Sequence, residues 1–238
     1  MIRLGAGVAD LDVRIERIGA ISSAAQLAQR FRQDSAFLVG DAAHRVTPRG
    51  GTGMNTAIHD GYDLGWKLTW VLRGWAAPDL LDSYEVERRQ VAEHNVSRSA
   101  DPNGTNRPAD EELQVDLGGR IRHAWLPTTG ERVSTLDLLG PGLTLFTGPE
   151  QATWAAAAAT ITTATAATPP LTVRRLDAIT ARTLGIHRGG ALLTRPGGVP
   201  VASWPHHLGI QAPPALHGAV DATRSHRSQP APPQRKSA

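Results

Sequence analysis

The chain has 238 residues, 40% of them hydrophobic and 20% charged, with a formal net charge of +3; this is the profile of an ordinary globular protein able to bury a sizeable core. It contains no cysteine, which excludes disulfides, zinc–thiolate centres, dithiol redox motifs and thiol nucleophiles. No apolar run approaches the ~18 residues of a membrane span, and the N-terminus "MIRLGAGVADLDVRIERIG" has no signal-peptide core, so no membrane partner is expected and a cytoplasmic location is the default. Basic residues are scattered except in the C-terminal "RSHRSQPAPPQRKSA". Pro, Ser and Gln dominate that stretch, so it reads as a disordered end and not as a nucleic-acid-binding arm.

In chain order, Leu11, Val13 and Ile15 alternate with Asp12, Arg14 and Glu16, the pattern of a half-buried strand. "AFLVG" is a strand-sized apolar run stopped by Gly40. Met54, Ile58, Leu64, Leu68, Val71 and Trp75 then recur at helical spacing and predict a helix over about 53–74, ended by Gly74. A second helix is predicted over about 80–98, with Leu81, Tyr84, Val91 and His94 near one face. "SADPNGTNRPADEE" breaks all periodicity and marks a linker. Beyond it, "GLTLFTG", "LTVRRLD" and "ALLTRP…VPVASW" are strand candidates. Between them "ATWAAAAATITTATAAT" begins as a helix and loses definition as threonines accumulate. Little fixed structure is expected from Pro205 onward.

The stretch "FLVGDAAHRVTPRGGTGMN", Phe37 to Asn55, has the makings of a ligand site. A buried strand would fix the direction of Asp41, and the loop "RGGTG" would let backbone amides approach a ligand. The helix starting near Gly53 presents free N–H groups and a partial positive charge, suited to a phosphate or to an electron-rich ring. A phosphorylated nucleotide and a cofactor with a hydroxylated chain both fit. Asp41 favours the second, since a carboxylate repels phosphate but accepts strong hydrogen bonds from hydroxyls. The residues alone also leave open a plain turn with an N-capping Asp. His44, His59 and Asp60 with Asp41 could suggest a metal site, but nothing orients such ligands, and no metal is expected. Trp66, Trp70 and Trp75 read as packing.

The string "GDAAH…P.GG.GMN…D…LGWKL…VLRGW…LLDSYEVERR..A" resembles, without gaps over about Phe37 to His94, the second FAD-binding motif of the class A flavoprotein aromatic hydroxylases. These are the para-hydroxybenzoate-hydroxylase-like monooxygenases of the polyketide and phenol hydroxylase type. More loosely, the residues before it resemble the sheet segment leading into that motif, and 116–204 resemble those enzymes' C-terminal thioredoxin-like domain. The resemblance implies an α/β fold: a partial FAD-binding, Rossmann-like domain of the GR2 type with two long helices, followed by a thioredoxin-like α/β domain. The implied division is 1–99, a linker at 100–115, the thioredoxin-like domain at 116–204 and a disordered tail at 205–238.

Residue by residue, the resemblance implies that Asp41 holds the ribityl chain of FAD and Pro48 sits beside the isoalloxazine. Gly50, Gly51, Gly53, Met54 and Asn55 would line its pyrimidine edge through main-chain amides. The implied chemistry is reduction of the flavin by NAD(P)H and transfer of one oxygen atom from O2 to an aromatic substrate, the cofactor supplying the reactivity. No catalytic residue is assigned. Asp63 and Gln90 depart from the family's usual Asn and Pro, on positions read as helix surface or ends. Arg49 either assists an anionic ligand or faces solvent. "GAGVAD" near the N-terminus is rejected as a dinucleotide fingerprint, because its third glycine is replaced by Asp10 and too short a strand precedes it. A GxGxxG half and most of a substrate-binding sheet are therefore missing. The resemblance is to roughly the C-terminal half of a hydroxylase, whose implied partner is a separately encoded N-terminal half. A non-catalytic remnant and a binding or scaffold module of the same ancestry stay open.

Overall fold

The computed structural model describes residues 2–104, 119–127, 131–162 and 168–225. A short exposed helix, α1 (Ile2–Ala6), opens the chain. Residues 11–25 have no regular secondary structure, and Ile15, Ile18 and Ile21 are exposed. The strand expected at Leu11–Ile15 is thus not formed. An extended segment needs a neighbour to satisfy its backbone groups, and none among the described residues pairs with it. The strands that follow form two small two-stranded sheets. β1 (Gln26–Leu27) pairs antiparallel with β4 (His44–Arg45), and β2 (Arg32–Gln33) with β3 (Ala36–Phe37). Only the first two residues of "AFLVG" are strand, because the chain turns at Gly40 into a 3-10 helix, Gly40–Ala42.

The two long helices form as the periodicity predicts. α2 runs Gly53–Leu72 and α3 runs Asp82–Ala100, with Gly74 (φ +70°) turning the chain after α2. On α3, Leu81's neighbours Tyr84, Val91 and Ala92 are buried, but so are Arg88, Asn95 and Ser99. Half of this face is therefore polar, and it works by hydrogen bonding. Glu85 accepts from the Phe31 and Arg32 amides at 2.9 and 3.1 Å, and Arg89 Nη1 donates to the Ala28 and Gln29 carbonyls, each at 2.9 Å. These bonds lash residues 28–32 to the helix.

The C-terminal half is built on one four-stranded sheet. β5 (Leu143–Thr147) is buried throughout, and β6 (Leu171–Arg175), β7 (Ala191–Thr194) and β8 (Pro200–Trp204) complete it in the order β6-β5-β7-β8. β5 and β6 are parallel and joined through α4 (Ala152–Thr162); β7 and β8 run antiparallel to their neighbours. α5 (Ala178–Thr183) is capped by the Asp177 carboxylate on the Ile179 and Thr180 amides.

One expectation about the chain's layout needs correction. Residues from 205 are not featureless: α6 (Ala212–Ala222) buries Ala212, Leu216 and Val220. Pro213 and Pro214 did not prevent this helix, because in a first turn the missing N–H has no intrahelical acceptor to lose. Residues 226–238 lie outside the described residues, as does the linker from 105 on. One core cluster takes Trp66 and Trp70 of α2, Ala76 and Leu80 after it, and residues of β5, β7, α4 and α6. The end of α2 therefore packs into the C-terminal core, where Trp66, Trp70 and Trp75 serve as packing.

Candidate functional site

The turn at Gly40–Asp41 and the start of α2 lie against each other. Gly40 has φ +57°, and a Cβ on it would come 3.0 Å from the Ala57 Cβ of α2. This residue must therefore be glycine on both conformational and packing grounds. The Ala43 N–H closes the turn on the Gly40 carbonyl at 2.8 Å. The Asp41 carboxylate projects into solvent and has no hydrogen-bond partner among the described residues.

The loop from Val46 to Thr52 is pinned to the far end of α3. Thr47 donates through Oγ1 to the Ser99 carbonyl at 2.6 Å and through its amide to Ser99 Oγ at 3.2 Å. Gly50 (φ +80°) and Gly51 (φ +63°) make the turn, with the Arg98 guanidinium 3.5 Å from where a Gly50 Cβ would stand and open space at Gly51. Gly53 is seated so closely on Val46 that a Cβ would lie 2.7 Å from its Cγ2. No side chain caps α2, and Thr56 is the first residue whose amide reaches a helical acceptor, Thr52 O at 3.0 Å. The Gly53, Met54 and Asn55 amides thus form an uncapped helix start with its partial positive charge. Pro48, Arg49, Met54 and Asn55 are all exposed beside it. Of the seven residues singled out from the sequence, Asp41 lies on the Gly40 turn, Pro48, Gly50 and Gly51 on the loop, and Gly53, Met54 and Asn55 at the helix start.

Beneath the site lies a polar cluster that sequence reasoning did not assemble. Asp60 of α2 is wholly buried. Its Oδ2 accepts from the Gly40 amide at 3.1 Å and pairs with His44 Nε2 at 2.6 Å, while Oδ1 accepts from Arg88 Nε at 2.7 Å. Burial pushes the Asp60 carboxyl up, but the His44 hydrogen bond and the Arg88 guanidinium outweigh it and hold the group below the usual carboxylate range. Arg88 Nη2 also reaches the Thr56 carbonyl at 3.4 Å, and Asn95 Nδ2 donates to Thr56 Oγ1 at 2.9 Å. His44 Nδ1 is buried without a partner among the described residues. Asp60 thus has three protein donors converging on its two oxygens. A signal for this cluster existed: Arg88 and Asn95 share the helical stripe of Tyr84 and Val91, where a charge requires a buried counterpart.

Asp63 is likewise not a bare surface position. Its carboxylate accepts from Lys67 Nζ at 2.6 Å and Trp66 Nε1 at 3.2 Å, and Lys67 is fully buried.

The chain is similar to several known proteins. Residues 2–99 match the FAD binding domain family. The chain is 34% identical over 221 residues to an aklavinone 12-hydroxylase of Streptomyces purpurascens, covering 74% of this chain and 41% of the relative. It is 30% identical over 243 residues to a tetracenomycin A2 monooxygenase-dioxygenase of Streptomyces glaucescens, covering 83% and 43%. Among solved structures, an aklavinone-11 hydroxylase in complex with FAD and aklavinone superimposes with a TM-score of 0.76 at 29% identity, covering 94% of this chain and 50% of that one. The chain thus spans less than half the length of these curated relatives. It is a relative of the flavoprotein aromatic hydroxylases, and its residues 2–99 belong to their FAD binding domain family.

Proposed function

We propose that this chain holds the ribityl and isoalloxazine part of FAD in an aromatic monooxygenase of the polyketide hydroxylase type. The observation that carries the reading is the pairing of an unpartnered, exposed Asp41 carboxylate with an uncapped helix start at Gly53. The donor set fits the cofactor: hydroxyls of a ribityl chain can donate to Asp41, and acceptor atoms of the ring edge can take the Gly53, Met54 and Asn55 amides. The open space at Gly51 leaves room for a planar ring to approach the backbone, with Pro48 as an adjoining wall. When bound, FAD supplies reduction by NAD(P)H and oxygen transfer to an aromatic ring. The chain's own contribution is to orient the ring, and its helix dipole favours negative charge on it. Arg49 and Arg98 add positive charge at the same edge.

The strand order β6-β5-β7-β8, with one parallel and two antiparallel pairings around a β-α-β unit, supports reading residues 116–204 together with α6 as a thioredoxin-like unit. Without cysteine it has no dithiol chemistry, and its role is structural. The exposed Met54 (72%), Ile58 (58%) and Ile21 (91%) support the reading that further protein surface covers this part of the chain in the working enzyme. Such apolar exposure calls for a covering partner.

The test is FAD titration of the full chain, followed by flavin fluorescence and by the oxidised-flavin band near ~450 nm. Saturable binding weakened about tenfold or more by Asp41→Ala is expected, as for loss of a charge-assisted hydrogen bond. Absence of binding both by the chain alone and after co-expression with an N-terminal half of such a hydroxylase overturns the reading.

A further inference from the structure

The cluster around Asp60 grips the segment that carries Asp41 from both sides. Oδ2 receives the N–H of Gly40, the residue before Asp41, and it also receives Nε2 of His44, three residues after it. Gly40 is buried, so its amide needs an acceptor, and its left-handed backbone would otherwise be free to relax. The other oxygen faces away from the turn, toward Arg88 on α3. Arg88 continues the network to the Thr56 carbonyl, and Thr56 Oγ1, which accepts from Asn95, donates to the Thr52 carbonyl at 2.9 Å. Thr52 is the residue from which α2 starts. One buried network therefore touches both halves of the exposed site: the turn carrying Asp41 and the helix start carrying the amides. A carboxylate is the group that can do this, because it offers two acceptor oxygens to three converging donors. An amide of the same shape offers one.

We propose that Asp60 is a positioning residue for Asp41: through Gly40 and His44 it fixes the turn that aims the Asp41 carboxylate, and through Arg88 it ties that aim to the start of α2. The proposal rests on the reading that Asp41 receives the ribityl hydroxyls of FAD, and its test separates the two ideas. Asp60 acts through Asp41, so once Asp41 is disabled Asp60 has nothing left to position.

FAD is titrated against the full chain carrying Asp41→Asn, Asp60→Asn and both together, and the Gly40 amide is followed by NMR in the absence of flavin. Asp60→Asn is expected to weaken FAD about tenfold, and the double variant should bind no more weakly than Asp41→Asn alone. The Gly40 amide proton should move upfield and exchange faster in Asp60→Asn. Losses that multiply in the double variant, or FAD binding by Asp60→Asn as tight as by the parent, overturn the proposal. If the parent chain takes up no FAD, the flavin reading fails, and the Gly40 amide still decides: an unchanged resonance in Asp60→Asn overturns the positioning role. Should Asp60→Asn not fold, Arg88→Lys keeps a cation beside Asp60 while removing its Nε–H, and the same non-additivity with Asp41→Asn is required of it.

Discussion

Arg195, the residue following β7, donates both terminal nitrogens to the carboxylate of Glu87 on α3, with Nη1 2.8 Å from Oε1. Lys67 of α2 reaches the same carboxylate at 3.2 Å and Asp63 at 2.6 Å. Both cations also lie against the Trp66 ring, Lys67 Nζ and Arg195 Cζ each 5.5 Å from its centroid. This alternating array joins the helices beneath the candidate site to the C-terminal sheet across 108 residues of sequence.

Breaking it from one side should be costly. Glu87→Gln leaves the buried Lys67 and the mostly buried Arg195 partly uncompensated, and since removal of one partner from a fully buried pair costs about 3–5 kcal/mol, the loss here should fall at or below the low end of that range. Urea unfolding of Glu87→Gln, Arg195→Met and the double variant should show the double well short of the sum. Additive losses would mean that the pair contributes nothing as a pair.

The same carboxylate sets an acid limit. Burial raises the Glu87 pKa, but Arg195 and Lys67 outweigh it and bring the group down to about 2 in the folded chain. Its contribution is complete above the unfolded value near ~4.5 and is lost as pH falls toward about 2. Between those limits the parent should lose stability more steeply than Glu87→Gln, by at most about 1.4 kcal/mol per pH unit from this group. Parallel curves from pH 5 to pH 2 would show that Glu87 is not held down. Asp60 and Asp177 are also lowered, but they contribute equally to both proteins and cancel in the comparison.

α2, α3, the start of α4 and β5 to β8 were legible because each has a period or an apolar run that its own residues complete. The candidate loop was legible because Gly50, Gly51 and Gly53 announce a backbone that must come close to something. Leu11–Ile15 misled for a physical reason: alternation predicts which face a strand would bury, but a strand forms only with a neighbour. Asp60 was visible as a residue but not as a hub, since its donors Gly40, His44 and Arg88 stand 20, 16 and 28 residues away. α6 was missed because "APPALHGAVDA" opens with two prolines, which read as a breaker everywhere except in a first helical turn.

Two glycines with equally open surroundings should respond in opposite directions to alanine. Gly65, within α2, and Gly51, in the loop, have no atom within 4 Å of a built Cβ, but only Gly51 has a positive φ, +63°. Gly65→Ala should raise stability by about 0.5–1 kcal/mol through helix propensity. Gly51→Ala should lower it by about 1–2 kcal/mol through left-handed strain. Thermal or urea midpoints decide, and changes of the same sign would contradict the backbone assignment at Gly51.

The shared core makes one further demand. Leu216 of α6 is fully buried in the cluster that also holds Trp66 and Trp70 of α2 and Trp154 of α4. Leu216→Ala should cost about 2–5 kcal/mol, the range for truncating a buried leucine where the surroundings relax only partly. Because the end of α2 packs inside this cluster, loosening α6 must also loosen the helix whose start carries the candidate site. Tryptophan fluorescence and far-UV circular dichroism should therefore report one coincident unfolding transition in the variant, displaced to lower denaturant. Two separated transitions, with helix signal persisting after the tryptophans are exposed, would mean that α2 and α3 stand without the C-terminal core.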